Sequence, residues 1–401
     1  MFLKNLFKVN KVLALLVTST MLLAPTYAIM METYVPNMNF QRGMCFATWD
    51  KSQYASQYSD KALEKLAEMS VDHVQIIVTW YQEKVDSLDI EPSGLTPSDS
   101  SINHAIKTAH KLGLKVMLKP HIDLLDDQGS GYWRADIGFY KEEDWNDWFN
   151  SYEKFIMHYA KIAKKNKVAL YCVGTELSFA SQKTDKWKEL IKNVRSSFDG
   201  KITYAANWDN YKNIKFWDDL DFAGIDAYFP LSYKSNPTLE DLKKGWLNWA
   251  VEIEGFFNET KKPILFTEIG YPSGSNAPSE PWKTPSNGNA DVEIQAKCYK
   301  AFFETVCEKP WLAGVYWWQW APTIYGGGKN NRLFTPLNKP AANILAEKYA
   351  NIKRLSESTI SKDIEGLLAN KQAIMTKKEN NRKQTGHPIK ADNEIKTINA
   401  G

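Results

Sequence analysis

The chain has 401 residues, with 50 Lys plus Arg against 47 Asp plus Glu and 15 Trp. Its net charge of +3 is carried entirely by Lys4, Lys8 and Lys11, because residues 1–28 contain no acid. The remainder is neutral, which argues against nucleic acid as the main partner.

The three lysines open a segment that continues with apolar Val12 to Leu23 and reaches small residues at Thr26-Tyr27-Ala28. That is the layout of an export signal, with an uncleaved anchor as the alternative. Residues 1–28 are therefore read as a signal peptide, 29–40 as a linker, 41–350 as one catalytic domain and 351–401 as a charged tail. The tail holds ten Lys plus Arg and six Asp plus Glu. A secreted or periplasmic monomer is expected, with no stable membrane insertion after cleavage.

From residue 43 onward, short apolar runs alternate with longer segments of helical periodicity. The runs are "GMCFATWD" (43–50), "HVQIIVTWY" (73–81), "LKVMLKPHID" (114–123), "ALYCVGTEL" (169–177), "KITYAANWD" (201–209), "DFAGIDAYFP" (221–230), "ILFTEIGYPS" (264–273) and "AGVYWWQW" (313–320). Segments between them, such as "SDKALEKLAEMS" and "SSINHAIKTAHKLG", carry an N-cap Ser and close on Ser or Gly. Eight such units predict an α/β (β/α)8 TIM barrel. An open doubly wound sheet also alternates, but no G-x-G-x-x-G or P-loop follows any run.

Glu176 and Glu268 stand where apolar runs end. An unpaired carboxylate in an apolar interior costs several kcal/mol or more, so each needs partners or a task. Period-2 counting puts Leu170, Cys172, Gly174 and Glu176 on one face of the fourth strand, and Ile264, Phe266 and Glu268 on one face of the seventh. Both faces are read as inward, which places the two glutamates at the C-terminal rim where barrel active sites are built. Two carboxylates at one rim are what glycoside hydrolysis requires. Near the same rim the strand ends bring Lys119, His121, Asp123, Asn207, Asp226, Tyr228 and Gln319, with Trp80, Trp133, Trp208, Trp318 and Trp320 as candidate sugar platforms.

The chain from about Arg42 to Tyr349 resembles glycoside hydrolase family 113, retaining endo-β-1,4-mannanases. The likeness rests on "LKPHID", "WRADIGF", "VGTEL", "FAGIDAYFPL", "FTEIGYPS", "GVYWWQW" and "NKPA". It implies Glu176 as acid/base and Glu268 as nucleophile, with Tyr228 near the nucleophile. Lys119, His121, Asn207, Trp318 and Trp320 would bind a polysaccharide or oligosaccharide substrate. Thr175 stands before Glu176, where the wider clan usually has Asn; this fits the family's own pattern and implies one hydrogen bond fewer to the sugar 2-hydroxyl. The alternatives are a β-1,3-glucanase, a β-galactanase, or a non-catalytic carbohydrate-binding barrel.

The six His show no H-x-x-x-H or similar spacing, so neither metal nor cofactor is expected. Cys45 and Cys172 sit in strand-like runs, and Cys298 and Cys307 would lie roughly 13 Å apart on one helix, so no disulfide is expected. In the tail, Leu355, Ile360, Ile364, Leu367 and Leu368 suggest a short amphipathic helix, and 377–401 reads as disordered.

Overall fold

The computed structural model describes residues 40–126 and 130–385. The expected signal peptide, residues 29–39 of the linker and residues 386–401 lie outside the described residues.

Each of the eight apolar runs overlaps a strand: β1 (Gln41–Phe46), β2 (His73–Gln82), β3 (Lys115–Leu124), β4 (Leu170–Thr175), β5 (Lys201–Asn207), β6 (Phe222–Asp226), β7 (Ile264–Ile269) and β8 (Leu312–Trp320). Neighbours pair in parallel in chain order, and β1 pairs with β8 to close the barrel. The helices are α1 (Gln57–Glu68), α2 (Asp99–Lys111), α3 (Glu142–Lys165), α4 (Thr184–Ser197), α5 (Leu239–Thr260), α6 (Val292–Phe303) and α7 (Pro340–Thr385). Between β5 and β6 the expected helix is replaced by two 3₁₀ turns, Tyr211–Asn213 and Trp217–Asp219. The helices α1 and α2 start upstream of the segments read from sequence. Ser56 and Ser98 cap them by accepting from the amides of Ser59 and Ser101.

Parallel strands with helices outside require two apolar layers. The outer layer joins barrel to helices through side chains such as Trp148, Trp187, Trp246 and Trp317. The inner layer fills the barrel with Cys45, Met117, Leu170, Cys172, Ala205, Leu265, Ala313 and Tyr316.

The inner layer corrects the period-2 reading. Leu265 lies inside the barrel, whereas Ile264 and Phe266 belong to the outer layer. Phe266 packs there on Trp246 and Phe302. The register of β7 then shifts against both neighbours, so that Ile225 pairs with Phe266 but Asp226 pairs with Glu268. This irregularity reverses the alternation and carries Glu268 inward. The same happens in β4, whose register against β5 shifts between Cys172 and Thr175. Gly174 therefore faces the helices, not the interior. A Cβ there would lie 2.6 Å from the Trp187 ring and 2.8 Å from that of Tyr204.

All four cysteines are buried and free. The helix α6 ends at Phe303, so Cys307 lies in the turn beyond it. Among the described residues, no helix is long and apolar enough to cross a membrane.

The chain divides into two compact units, one through Ile352 and one from Lys353. In the first, α7 buries Ala341, Leu345 and Tyr349. In the second, the helix is continuous to Thr385, so residues 377–385 are helical where disorder was expected. Leu355 is exposed. The side chains of Ile360, Ile364, Leu367 and Leu368 lie outside the described residues.

The position of Gly174 gives a direct test. Gly174→Ala forces the new methyl into two ring systems held in the outer layer, a kind of overpacking that costs about 1–3 kcal/mol. The variant is expected to melt several degrees below the parent in a thermal scan. If the methyl pointed into the barrel, that aromatic clash would be absent.

Candidate active site

The C-terminal ends of the strands open into a cleft of about 640 Å³. Glu176, the first residue after β4, and Glu268, within β7, both line it. They are buried, at 8% and 4% exposure. Each is held by a different set of partners.

Glu268 is held from below and from the side. Lys119 of β3 donates from Nζ to Glu268 Oε1 at 2.6 Å, and the Tyr228 hydroxyl donates to Oε2 at 2.7 Å. Lys119 also donates to both oxygens of Asp226, at 2.9 and 3.0 Å. Thr267 Oγ1 donates to Asp226 Oδ1 at 2.8 Å. Burial alone would strip the proton from Lys119, but the carboxylates of Asp226 and Glu268 reverse that, and its pKa is raised. Burial, then the charge of Glu268, pushes Asp226 well above the usual carboxylate range. Tyr228 is pushed up by burial and by the same charge.

Glu176 adopts φ +56°, a left-handed conformation uncommon for a residue with a Cβ. Its amide donates to the Ala205 carbonyl at 2.8 Å, which ties the turn to β5. Strain of this sort costs about 1–3 kcal/mol and gathers at functional sites. Arg134, in the 3₁₀ turn Arg134–Asp136 after β3, donates from Nη1 to Glu176 Oε2 at 2.7 Å. Arg134 is itself fixed by the Ile122 carbonyl, 2.8 Å from Nε, and by the Asp123 carboxylate. Burial raises the pKa of Glu176, Arg134 opposes the rise, and the Glu268 charge adds to it, leaving the net shift upward from 4.5.

His121 lines the same cleft. Its Nε2 has no hydrogen-bond partner and is 3.8 Å from Glu268 Oε1. Burial, Lys119 and Arg134 hold its pKa well below 6.5, so the ring is neutral at neutral pH. It stacks on Trp318 at 6.3 Å with the planes 8° apart. Trp49 meets Trp318 edge-on, and Trp208 and Trp282 stack 5.7 Å apart. Neutral polar groups ringed by aromatic faces suit a polyhydroxylated ligand with apolar C–H surfaces.

Over residues 44–338 the chain matches the family model Glycoside Hydrolase Family 113. The chain belongs to that family. It is a glycoside hydrolase. No curated protein matches. Among solved structures, the GH113 β-mannanase from Alicyclobacillus acidocaldarius in complex with ManMIm is 29% identical, covering 78% of this chain and 98% of that one, with a TM-score of 0.71. A complex of a GH113 β-1,4-mannanase is 28% identical over 78% and 99% of the two chains, also at 0.71. The endo-β-1,4-mannanase from Thermotoga petrophila, 14% identical over 79% and 77% at a TM-score of 0.51, shares the fold.

In this family 113 chain the residues singled out from sequence divide into two groups. Glu176, Glu268, His121, Asn207, Tyr228 and Trp318 line the cleft. Asn207 also donates to Ser178 Oγ at 3.2 Å. Lys119 does not line it, because it is fully buried beneath Glu268 and spends its hydrogen bonds on carboxylates. Trp320, at 1% exposure, is core, and Trp80 packs on Phe155 and Tyr159 outside the barrel. Arg134, Trp49, Trp282 and Phe334 line the cleft without having been singled out. All four come from loops, where no strand period flags them, although Arg134 stands within the quoted "WRADIGF". Thr175 donates to the Pro120 carbonyl at 3.2 Å.

Arg134 holds Glu176 toward its ionised form, so its loss should release the opposing shift. Arg134→Met is expected to raise the Glu176 pKa further and move the alkaline limb of the pH–rate profile up by about one unit. An unchanged or lowered limb would contradict the role given to Arg134.

Proposed function

We propose that this chain is an exported, retaining endo-β-1,4-mannanase in which Glu268 is the nucleophile and Glu176 the acid/base. The observation that carries the mechanism is the unequal treatment of two carboxyl groups in one cleft. Lys119 and Tyr228 each donate to a different oxygen of Glu268, which favours and orients an ionised carboxylate. Glu176 has its pKa raised, first by burial, and so retains a proton to give.

In the first step a Glu268 oxygen bonds to the anomeric carbon as the glycosidic C–O bond breaks. Glu176 passes its proton to the departing oxygen, leaving a glycosyl ester on Glu268 and a carboxylate at Glu176. In the second step Glu176 takes a proton from water, the hydroxide oxygen bonds to the anomeric carbon and the Glu268 carboxylate leaves. Two inversions give net retention. The charge lost by one glutamate appears on the other, so the site's total is unchanged. Arg134 then has a full anion to hold during the second step.

Mannan is favoured by the two structures 28–29% identical to this chain, both described as β-mannanases. The endo mode is what the family resemblance implies. Export is supported by residues 1–28 alone. Mannan, β-1,3-glucan and galactan supplied in parallel should yield oligosaccharides from mannan, and turnover of either other polymer in its place would replace that substrate.

Azide separates the two glutamates. Glu268→Ala leaves a gap on the nucleophile side, and azide there should give a glycosyl azide of inverted configuration from an activated substrate. Glu176→Ala keeps the nucleophile, so a substrate with a good leaving group still forms the ester, and azide should return a product of retained configuration. NMR of the anomeric proton distinguishes the two. Matching anomers, or wild-type turnover in either variant, would overturn the assignment.

A further inference from the structure

Lys119 has more to hold than its task at Glu268 requires. An ammonium has three N–H donors, and here three contacts are made, one to Glu268 and two to Asp226. Asp226 is fully buried, does not line the cleft and so touches no sugar. It pairs in register with Glu268 across β6 and β7, which sets two carboxylates side by side under one cation. A second buried carboxylate costs several kcal/mol of desolvation, and a lone Lys119–Glu268 pair would avoid it.

We propose that Asp226 is a positioning residue that controls how strongly Glu268 attacks, by competing with it for the Lys119 ammonium. The proposal rests on the reading of Glu268 as nucleophile. In the free enzyme the cation is shared, so Glu268 keeps more of its negative charge than it would as the sole partner. When the ester forms, Glu268 loses its charge, the repulsion that raises the Asp226 pKa is relieved, and Lys119 retains a whole carboxylate in Asp226. When water releases the sugar, the ammonium is in place to receive the returning Glu268 carboxylate. The bonds and protons are those of the two steps above, and no ion enters or leaves the buried cluster.

Other titratable groups face the cluster. They are Glu176 beyond β4, His121 of β3, Tyr228 beyond β6, and the thiols Cys45 and Cys172. Burial pushes Cys172 to about 11 and Cys45 higher than its usual value, so both are neutral in the working range.

An activated aryl β-mannobioside reads the two half reactions separately, because kcat/KM reports formation of the ester and kcat its hydrolysis. Asp226→Asn leaves Lys119 to Glu268. The acidic limb of kcat/KM should move down by about one pH unit and kcat/KM should fall about tenfold while kcat holds or rises. Thr267→Val acts in the same sense and more weakly. It removes a hydrogen bond that favours the ionised form of Asp226, so Asp226 takes up a proton more readily, loosens its hold on the ammonium and should move the acidic limb down. Thermal melts and near-ultraviolet CD establish folding, and if Asp226→Asn does not fold, the direction of the Thr267→Val shift decides alone. A limb that stays put in the folded variants, or kcat and kcat/KM falling together with no shift, overturns the proposal. Failure of the underlying reading is seen separately, as wild-type turnover in Glu268→Ala.

Discussion

A single ammonium, Lys119, sits under the cleft with two carboxylates competing for it, and the arrangement of the site follows from that contact. Neither Lys119 nor Asp226 reaches solvent. Charges sealed away from water interact far more strongly than at a surface, and removing one partner from such a cluster typically costs about 3–5 kcal/mol. The cluster is therefore rigid in position, and Glu268 inherits that rigidity through a 2.6 Å hydrogen bond. Tyr228 fixes the other oxygen, so the carboxylate has little freedom to rotate.

The backbone takes part in the same constraint. Regular β-strands alternate sides, and a regular β7 would turn Glu268 toward the helices along with Phe266. The register shift breaks that alternation and leaves the Thr267 carbonyl facing inward, where Gln75 Nε2 donates to it at 2.9 Å. The β4 strand uses a shift and a left-handed residue to the same end. Both glutamates are thus delivered by departures from strand geometry, and the neighbouring strands hold those departures in place.

The two carboxyl groups differ because different loops and strands attend them. Glu268 is held by Lys119 of β3 and by Tyr228 just beyond β6. Glu176 faces Arg134, which belongs to a loop and is shared with Asp123. A fixed partner suits the nucleophile proposed for Glu268, and a shared partner suits the alternation between protonated and ionised forms proposed for Glu176. Around both, Trp49, Trp133, Trp208, Trp282 and Trp318 wall the cleft.

Strand number, strand order and the rim position of both glutamates were legible in the amino-acid sequence, because a buried parallel strand needs an apolar run whatever its neighbours are. The eight runs and the helical periodicity between them are local properties, and Glu176 and Glu268 stood out as charges at the ends of such runs. The facing of each strand was not legible beyond its first residues, since a register shift depends on the pairing partner and leaves no mark on alternation within one strand. Nor was the burial of Lys119, which on sequence alone looks like a rim residue in "KPHID". It becomes the cation beneath Glu268 only when barrel closure brings β3 opposite β6 and β7, 107 and 149 residues further along the chain. Local apolar pattern determined the barrel, and contacts distant in sequence decided which charges meet inside it.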